Sequence, residues 1–401
     1  MSERRFDIAC IAMFLCLIFI PAALFWVTPD KATSEDENRS LQQFPKFSPD
    51  GFVSGKFTSD FVKYYSDQFI FRDVFVGAKT MFSYAFLINE NKGAIIAKDG
   101  YIIQRFDKYS EKSIAEKSSS ELGGDLTFDE NMANIKNNCG YVEKFAQNIG
   151  PGINITFAVP PRKIDVMTNK LPAFFPVDRN EAYFDQLRQY TDSRIYFDLL
   201  GALKPHNEEY IYYKTDHHWT TLGAFLAYGA LGEKMGYEPL PIEDFDIETA
   251  SDDFYGVTWS KTGAKWISPD RIEYYRTKGE DDIFVTEIHG ANPKTLKGFY
   301  DLEKLETKDK YSSFLGGINS HISIYMPPSG FRRKLLLVAD SFGGALVPFL
   351  ARHFDIELID TRFFDDKIYD FIDEHGITDI LILHNMENLS TQNNLVKLTR
   401  N

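Results

Sequence analysis

The 401-residue chain predicts an α/β fold: a three-layer α/β/α domain with a β-rich insertion, behind one N-terminal transmembrane helix. Three observations carry this. Strand-like and helix-like runs alternate through 153–235 and again through 334–384, as in a parallel sheet with helices on both faces. Between them, at about 250–330, short strands and turns replace that rhythm. An uncharged apolar run opens the chain.

That run, Ile8 to Val27, is about twenty residues, long enough to cross a bilayer. Arg4 and Arg5 precede it, and Glu35, Asp36 and Glu37 follow. The positive-inside rule then puts everything after Thr28 outside the cytoplasm. A cleaved signal peptide is the rival. The length of the run and the lack of a small-x-small site favour an anchor. The expected organisation is a cytoplasmic tip and anchor at 1–27, a stalk at 28–50 with Pro29, Pro45 and Pro49, and the α/β domain at 51–401.

Within 52–90, Phe57, Phe61, Tyr64, Tyr65 and Phe69 recur at near-helical spacing, which suggests a helix packed into a core. Residues 107–130 read as a surface loop, and Asn131–Ile149 as a helix. Ile153–Val159 is the first expected strand, closed by Pro160-Pro161. A helix at Glu181–Tyr190 and strands at Arg194–Leu199 and Glu209–Lys214 follow. Thr220–Met235 is a helix, with Thr220 or Thr221 as its cap. The insertion carries strands at Ile272–Tyr275, Ile283–Ile288 and His321–Tyr325. Lys334–Ala339 is an apolar strand, Gly343–Arg352 a helix, Ile356–Asp360 a strand, Lys367–His375 a helix and Asp379–His384 a strand. Thr391–Asn401 reads as a loosely held tail.

Composition excludes some functions. Acidic residues outnumber basic ones 58 to 44, for a net charge of −14. Nucleic-acid binding needs a basic face and is not expected. Of three cysteines, Cys10 and Cys16 lie in the apolar run and Cys139 is alone. No intrachain disulfide or Cys/His zinc pattern is expected.

Two short runs carry chemistry. In Thr215-Asp216-His217-His218-Trp219-Thr220, residues two apart in extended backbone point the same way. Asp216 and His218 then form an acid–base pair, with His217 turned aside. In Asp340-Ser341-Phe342-Gly343-Gly344, Ser341 follows an apolar strand at the edge where open sheets bind ligands. The helix beginning there would aim N–H groups at an oxyanion. Ser341 as nucleophile, His218 as base and Asp216 as its orienting carboxylate make a Ser-His-Asp centre. Ser341 or Asp340 could instead simply cap that helix. Asp216, His217 and His218 could alternatively ligate a metal, but the other six histidines sit singly, so no metal or cofactor is expected. A second oxyanion donor could come from Gly317 or the Asn319 amide in the turn Phe314–Asn319. Arg162 and Lys163, closing the first strand, could reach substrate, and Trp219 adjoins the histidine.

These residues resemble the DHHW family, relatives of the alginate O-acetyltransferases within the SGNH hydrolase-like superfamily. Asp216-His217-His218-Trp219 is the signature, and Asp340-Ser341 is similar to the Gly-Asp-Ser block of SGNH hydrolases, with Ala339 replacing the glycine. Glu37-Asn38-Arg39-Ser40-Leu41, Asp67–Asp73, Asp253-Phe254-Tyr255-Gly256 and Tyr311–Gly317 resemble further blocks. The resemblance implies an extracytoplasmic, membrane-anchored O-acetyltransferase. It would act on a cell-surface or secreted polysaccharide through an acyl-serine, with Asp216, His218 and Ser341 as triad. A donor outside the cytoplasm implies a membrane-bound partner that supplies acyl groups. No C-terminal carbohydrate-binding module is read, and the acidic balance fits a neutral or amino-sugar glycan better than alginate. The alternatives are an O-acetylesterase with the same triad and a non-catalytic glycan-binding scaffold.

Overall fold

The computed structural model describes residues 2–34, 39–91, 93–105, 128–175, 178–327 and 332–400. Glu35–Asn38 and most of the expected loop at 107–130 lie outside them. The chain divides into two compact units, Met1–Ile88 with Trp259–Trp266, and Asn89–Thr258 with Ile267–Asn401.

The first unit opens on helix Ser2–Val27. Its stretch Arg5–Val27 is long and apolar enough to cross a membrane, a property an anchor shares with a signal sequence. The stripe Phe57–Phe69 forms one helix, Lys56–Gln68, with Phe69 just past its end, and a second helix, Arg72–Ala85, follows. Of the stripe's aromatics only Tyr64 is buried, while Tyr65 is exposed. The break falls at Phe69–Phe71, where Phe71 takes a left-handed backbone (φ 57°).

The second unit is built on an eight-stranded mixed sheet. In chain order its strands are β1 (Asn154–Ala158), β2 (Tyr196–Phe197), β3 (Val285–His289), β4 (Lys294–Lys297), β5 (His321–Tyr325), β6 (Arg333–Ala339), β7 (Phe354–Ile359) and β8 (Asp379–Leu383). The spatial order is β4-β3-β5-β7-β6-β8-β1-β2. From β7 to β2 every pairing is parallel, and from β4 to β7 every pairing is antiparallel. Leu335–Ala339 of β6 and all of β8 are buried, as strands covered on both faces must be. The β-rich stretch thus supplies the antiparallel edge of the main sheet. Asp246–Phe254 and Asp270–Arg276 pair apart from it as a two-stranded ribbon, and Glu90–Asn91, Ala94–Ile96 and Ile102–Gln104 form a separate three-stranded antiparallel sheet of hairpins.

Helix α1 (Phe128–Asn148) packs on α2 (Asp178–Tyr190), and α3 (Thr221–Met235) on α4 (Phe342–Leu350). Thr220 caps α3 by accepting the Gly223 N–H at 3.2 Å. Two expectations need correction. Glu209–Lys214 is not a ladder strand, because the chain folds back on itself there: Tyr213 N–H bonds His218 O, Thr220 N–H bonds Ile211 O and Lys214 N–H turns to Asp270, leaving a single bridge, Tyr212 to Trp219. The tail is not loose, because Leu395 and Leu398 are buried one turn apart. In addition, Asn138 Nδ2 donates to Leu389 O and Gln392 O at 2.8 and 2.7 Å.

Candidate active site

Three strands of the parallel half deliver the site at their carboxyl ends. Arg162 and Lys163 follow β1, Ser341 follows β6 and Asn385 follows β8. These segments converge on one small cavity, lined by Gln104, Arg162, Lys163, His217, Phe342, Asn385 and Glu387. This is the edge at which an open α/β sheet presents its ligand site.

The turn after β6 is held by Asp340. Its carboxylate accepts the N–H of Phe342 at 3.1 Å and, from the end of β8, the N–H of Asn385 and the amide of Asn388, both at 2.8 Å. Asp340 therefore does the capping, and the Ser341 hydroxyl is left for another partner. That partner is His218, whose Nε2 lies 2.7 Å from Ser341 Oγ. On the other side of the ring, Nδ1 lies 2.6 Å from Asp216 Oδ1. The 123-residue gap in sequence closes to one imidazole.

Asp216 is buried and fully engaged. Oδ1 also accepts the His218 N–H at 3.0 Å, and Oδ2 accepts the Val257 N–H at 2.9 Å. Burial alone would raise its carboxyl pKa. The adjoining His217 and His218 and the hydrogen bonds from His218 outweigh burial and hold it well below the usual carboxylate range. A carboxylate that stays ionised in a buried site is suited to orient an imidazole and stabilise its charged form. Gly256 makes this approach possible: a Cβ there would sit 2.2 Å from Asp216 Cβ.

The loop that carries Asp216 is anchored by Asp270, buried at the start of the ribbon's second strand. Its carboxylate accepts the N–H groups of Lys214 and Thr215 at 2.8 and 2.7 Å, and the hydroxyls of Tyr210 and Thr215. Above the imidazole, the Tyr311 ring stacks at 3.8 Å between centroids and 10° from parallel. Phe342 closes a further side, 5.0 Å from the His218 centroid.

The secondary candidates fall differently. Trp219 is fully buried and packs edge-on against Phe342 at 5.2 Å, where it props the loop. Arg162 lines the cavity, yet its guanidinium forms a buried bidentate pair with Asp165 at 2.8 and 3.0 Å. Lys163 Nζ donates to Ile102 O at 2.8 Å and Lys214 O at 3.2 Å, which ties a hairpin strand to the Asp216 loop. Burial pushes this ammonium down to about 8, against the pull of Asp270 and Asp216. The Asn319 amide donates to Gly317 O at 3.2 Å within its own turn; among the described contacts, neither residue meets Ser341. Asp216, His217 and His218 also bring three ligand atoms within 4.8 Å of one another. Both ring nitrogens of His218 are already committed to Asp216 and Ser341.

Residues 183–359 match the model of the DHHW protein family. A DHHW family protein from Eubacterium siraeum shares 23% identity over 78% of this chain and 96% of its own, with a TM-score of 0.60. Bacillus cereus PatB1, solved with a sulfonyl adduct, shares 20% over 74% and 97%, with a TM-score of 0.53. The O-acetyltransferase domain of Pseudomonas putida AlgJ matches at 15% over 77% and 99%, with a TM-score of 0.42. The first two likenesses are likenesses of fold, and the third is too distant to argue from. No curated protein matches the chain.

Proposed function

We propose that the chain is a DHHW-type extracytoplasmic O-acetyltransferase that modifies a cell-surface or secreted polysaccharide through an acetyl-serine. The observation that carries this reading is the single imidazole bridging Asp216 and Ser341 at 2.6 and 2.7 Å. Ser341 Oγ attacks the donor's acetyl carbonyl while His218 Nε2 takes its proton. The developing oxyanion lies at the N-terminus of α4, where the Ser341 N–H and the helix dipole favour it; the N–H groups of Phe342, Gly343 and Gly344 are already bonded to Asp340 and Ser341. His218 returns the proton to the leaving group, and acetyl-Ser341 remains. A sugar hydroxyl then attacks and gives its proton to His218, which passes it to Ser341 Oγ as the Oγ–acetyl bond breaks, so that the acetyl ester leaves and Ser341 and His218 are restored.

The finer parts of the reading are proposals too. The two helix pairs cover opposite faces of the sheet in an SGNH-like three-layer arrangement. The apolar helix is an anchor, and a membrane-bound partner supplies acetyl groups. Gln104, Asn385 and Glu387 line the cavity with amide and carboxylate groups, a surface suited to the hydroxyls of a neutral glycan. Water in place of the sugar would make the same residues an esterase.

The test uses the full chain in detergent, with nitrophenyl acetate as donor and methanesulfonyl fluoride as a serine probe. The expected result is nitrophenol release and sulfonyl labelling that vanish in Ser341→Ala and ignore chelator. Turnover unchanged in Ser341→Ala would sink the assignment. Turnover abolished by chelator would instead favour a metal at Asp216, His217 and His218.

A further inference from the structure

Helix Arg72–Ala85 of the first unit is amphipathic the wrong way round for a water-facing surface. Its packed side holds Gly77 and Thr80. Thr80 Oγ1 donates to Thr262 O at 2.8 Å, and Gly77 lies against Gly263 O and the Lys265 stem. On the opposite side Val74, Phe75, Met81, Phe82 and Phe86 are 53% to 66% exposed. Their spacing is one helical stripe, extended by Leu87 and Ile88, also exposed. A helix in water turns such a stripe inward. One that carries it outward is covered by something.

The same unit indicates what covers it. The helix starts beside the point where the chain leaves the apolar helix. Thr28 and Pro29 line one cavity together with Phe71, Arg72, Asp73 and Val74. Phe25, in the last turn of the apolar helix, is buried against Tyr64 and Tyr65 at 5.7 and 4.8 Å between centroids. Tyr64 OH donates to Asp30 at 2.9 Å, and the Lys31 N–H donates to Gln68 at 2.9 Å. These contacts fix the following helices to the end of the span. Exposed Trp26 sits at that end, where interfacial aromatics belong.

We propose that Arg72–Ala85 lies in the membrane interface, with its apolar stripe against the acyl chains. The inference rests on the reading of Arg5–Val27 as a retained span. Fourteen residues give a footing of about 21 Å along the surface, and burial of such a stripe to 5–10 Å depth is typical of interfacial helices.

The experiment places a nitroxide at Phe82→Cys or, separately, at Phe86→Cys in the full chain. Both carry Cys10→Ser and Cys16→Ser, and buried Cys139 is kept. The proteins are reconstituted in phosphatidylethanolamine–phosphatidylglycerol vesicles. Accessibility to oxygen, which concentrates in lipid, is compared with accessibility to a water-soluble nickel chelate. Exposed Glu374→Cys serves as the aqueous reference. The expected result is an oxygen-to-nickel ratio at both sites at least several-fold above the reference. A ratio equal to the reference means open water and overturns the inference. Low accessibility to both reagents means a protein cover, a partner or a second copy, and overturns it too. Carbonate extraction of the same vesicles separates the two readings. Release of the chain removes the anchor itself, whereas retention with nickel-accessible labels removes only the interfacial helix.

Discussion

Tyr311 lies flat on the His218 imidazole, 3.8 Å between centroids and 10° from parallel. The stacked ring leaves the imidazole little freedom to tilt away from the line between Asp216 and Ser341. Its hydroxyl makes a long contact, donating to Ser341 O at 3.3 Å, and meets the Trp219 side chain. Tyr311→Phe should therefore keep kcat within about threefold, whereas Tyr311→Ala should lower it on the order of 10²-fold, as loss of positioning does. Steady-state turnover of nitrophenyl acetate by the two variants checks this. Equal losses in both would assign the effect to the hydroxyl.

Asp216→Asn keeps the shape of the loop and removes the charge that the imidazolium needs. A drop in kcat on the order of 10⁴-fold is expected, with a smaller change in KM. Rate measurements on Asp216→Asn beside Ser341→Ala decide it; a variant within tenfold of wild type would remove Asp216 from the mechanism.

Gly256→Ala would drive a methyl group into Asp216 Cβ at 2.2 Å and Cα at 2.7 Å. Backbone must move, and overpacking of this kind costs about 1–3 kcal/mol. Because the displaced group orients His218, activity at a temperature where the variant is fully folded should fall on the order of 10²-fold. Urea midpoint and kcat, measured together, test both parts.

The buried carboxylate of Asp270 serves four donors on three residues. Asp270→Ala should leave the buried N–H groups of Lys214 and Thr215 without an acceptor, at about 1–3 kcal/mol each. A clear fall in the urea midpoint is the expected outcome. An unchanged midpoint would mean that the Asp216 loop is held by other contacts.

Lys163 gives a pH signature. Its folded pKa, about 8, lies below its ordinary value of 10.5, so between these values the unfolded chain binds more protons than the folded one. Stability from this group then rises with pH from about 8 to 10. Lys163→Met should flatten that slope in urea titrations run at pH 7.5, 8.5 and 9.5. A slope unaltered by the substitution would mean that Lys163 does not produce it.

The parts legible in the sequence are those written in contiguous residues. Apolar Leu335–Ala339 with Asp340-Ser341 behind it announced a strand, a turn and the hydroxyl proposed as nucleophile. Asp216-x-His218 announced its partners. What stayed hidden acts through space. Asp270 reaches Thr215 across 55 residues, yet in sequence it is one acid among 58. Tyr311 belongs to a run that reads as family pattern but gives no hint of stacking. Asn385 and Glu387 show nothing until β8 lies beside β6. Arg162 and Lys163 look like loop charges, and only folding reveals that Asp165 and two carbonyls consume them. The Glu209–Lys214 run is short, aromatic and β-branched like a buried strand, but Lys214 N–H is drawn to Asp270, so local pattern lost to a tertiary hydrogen bond. The helix at Arg72–Ala85 was not separated from the Phe57–Phe69 stripe in the sequence, and which side it would show was hidden.

The antiparallel flank of the sheet bears on how far this protein could be trimmed. Strand β7 has parallel β6 on one side and antiparallel β5 on the other. A shortened chain without 285–325 would leave β7 with a long, apolar, unpaired margin, a template for association with other molecules. It would also lose Tyr311 from above the imidazole. The segment that looks most like an optional insertion is thus tied to both the solubility and the chemistry of the core, and minimisation would have to begin elsewhere.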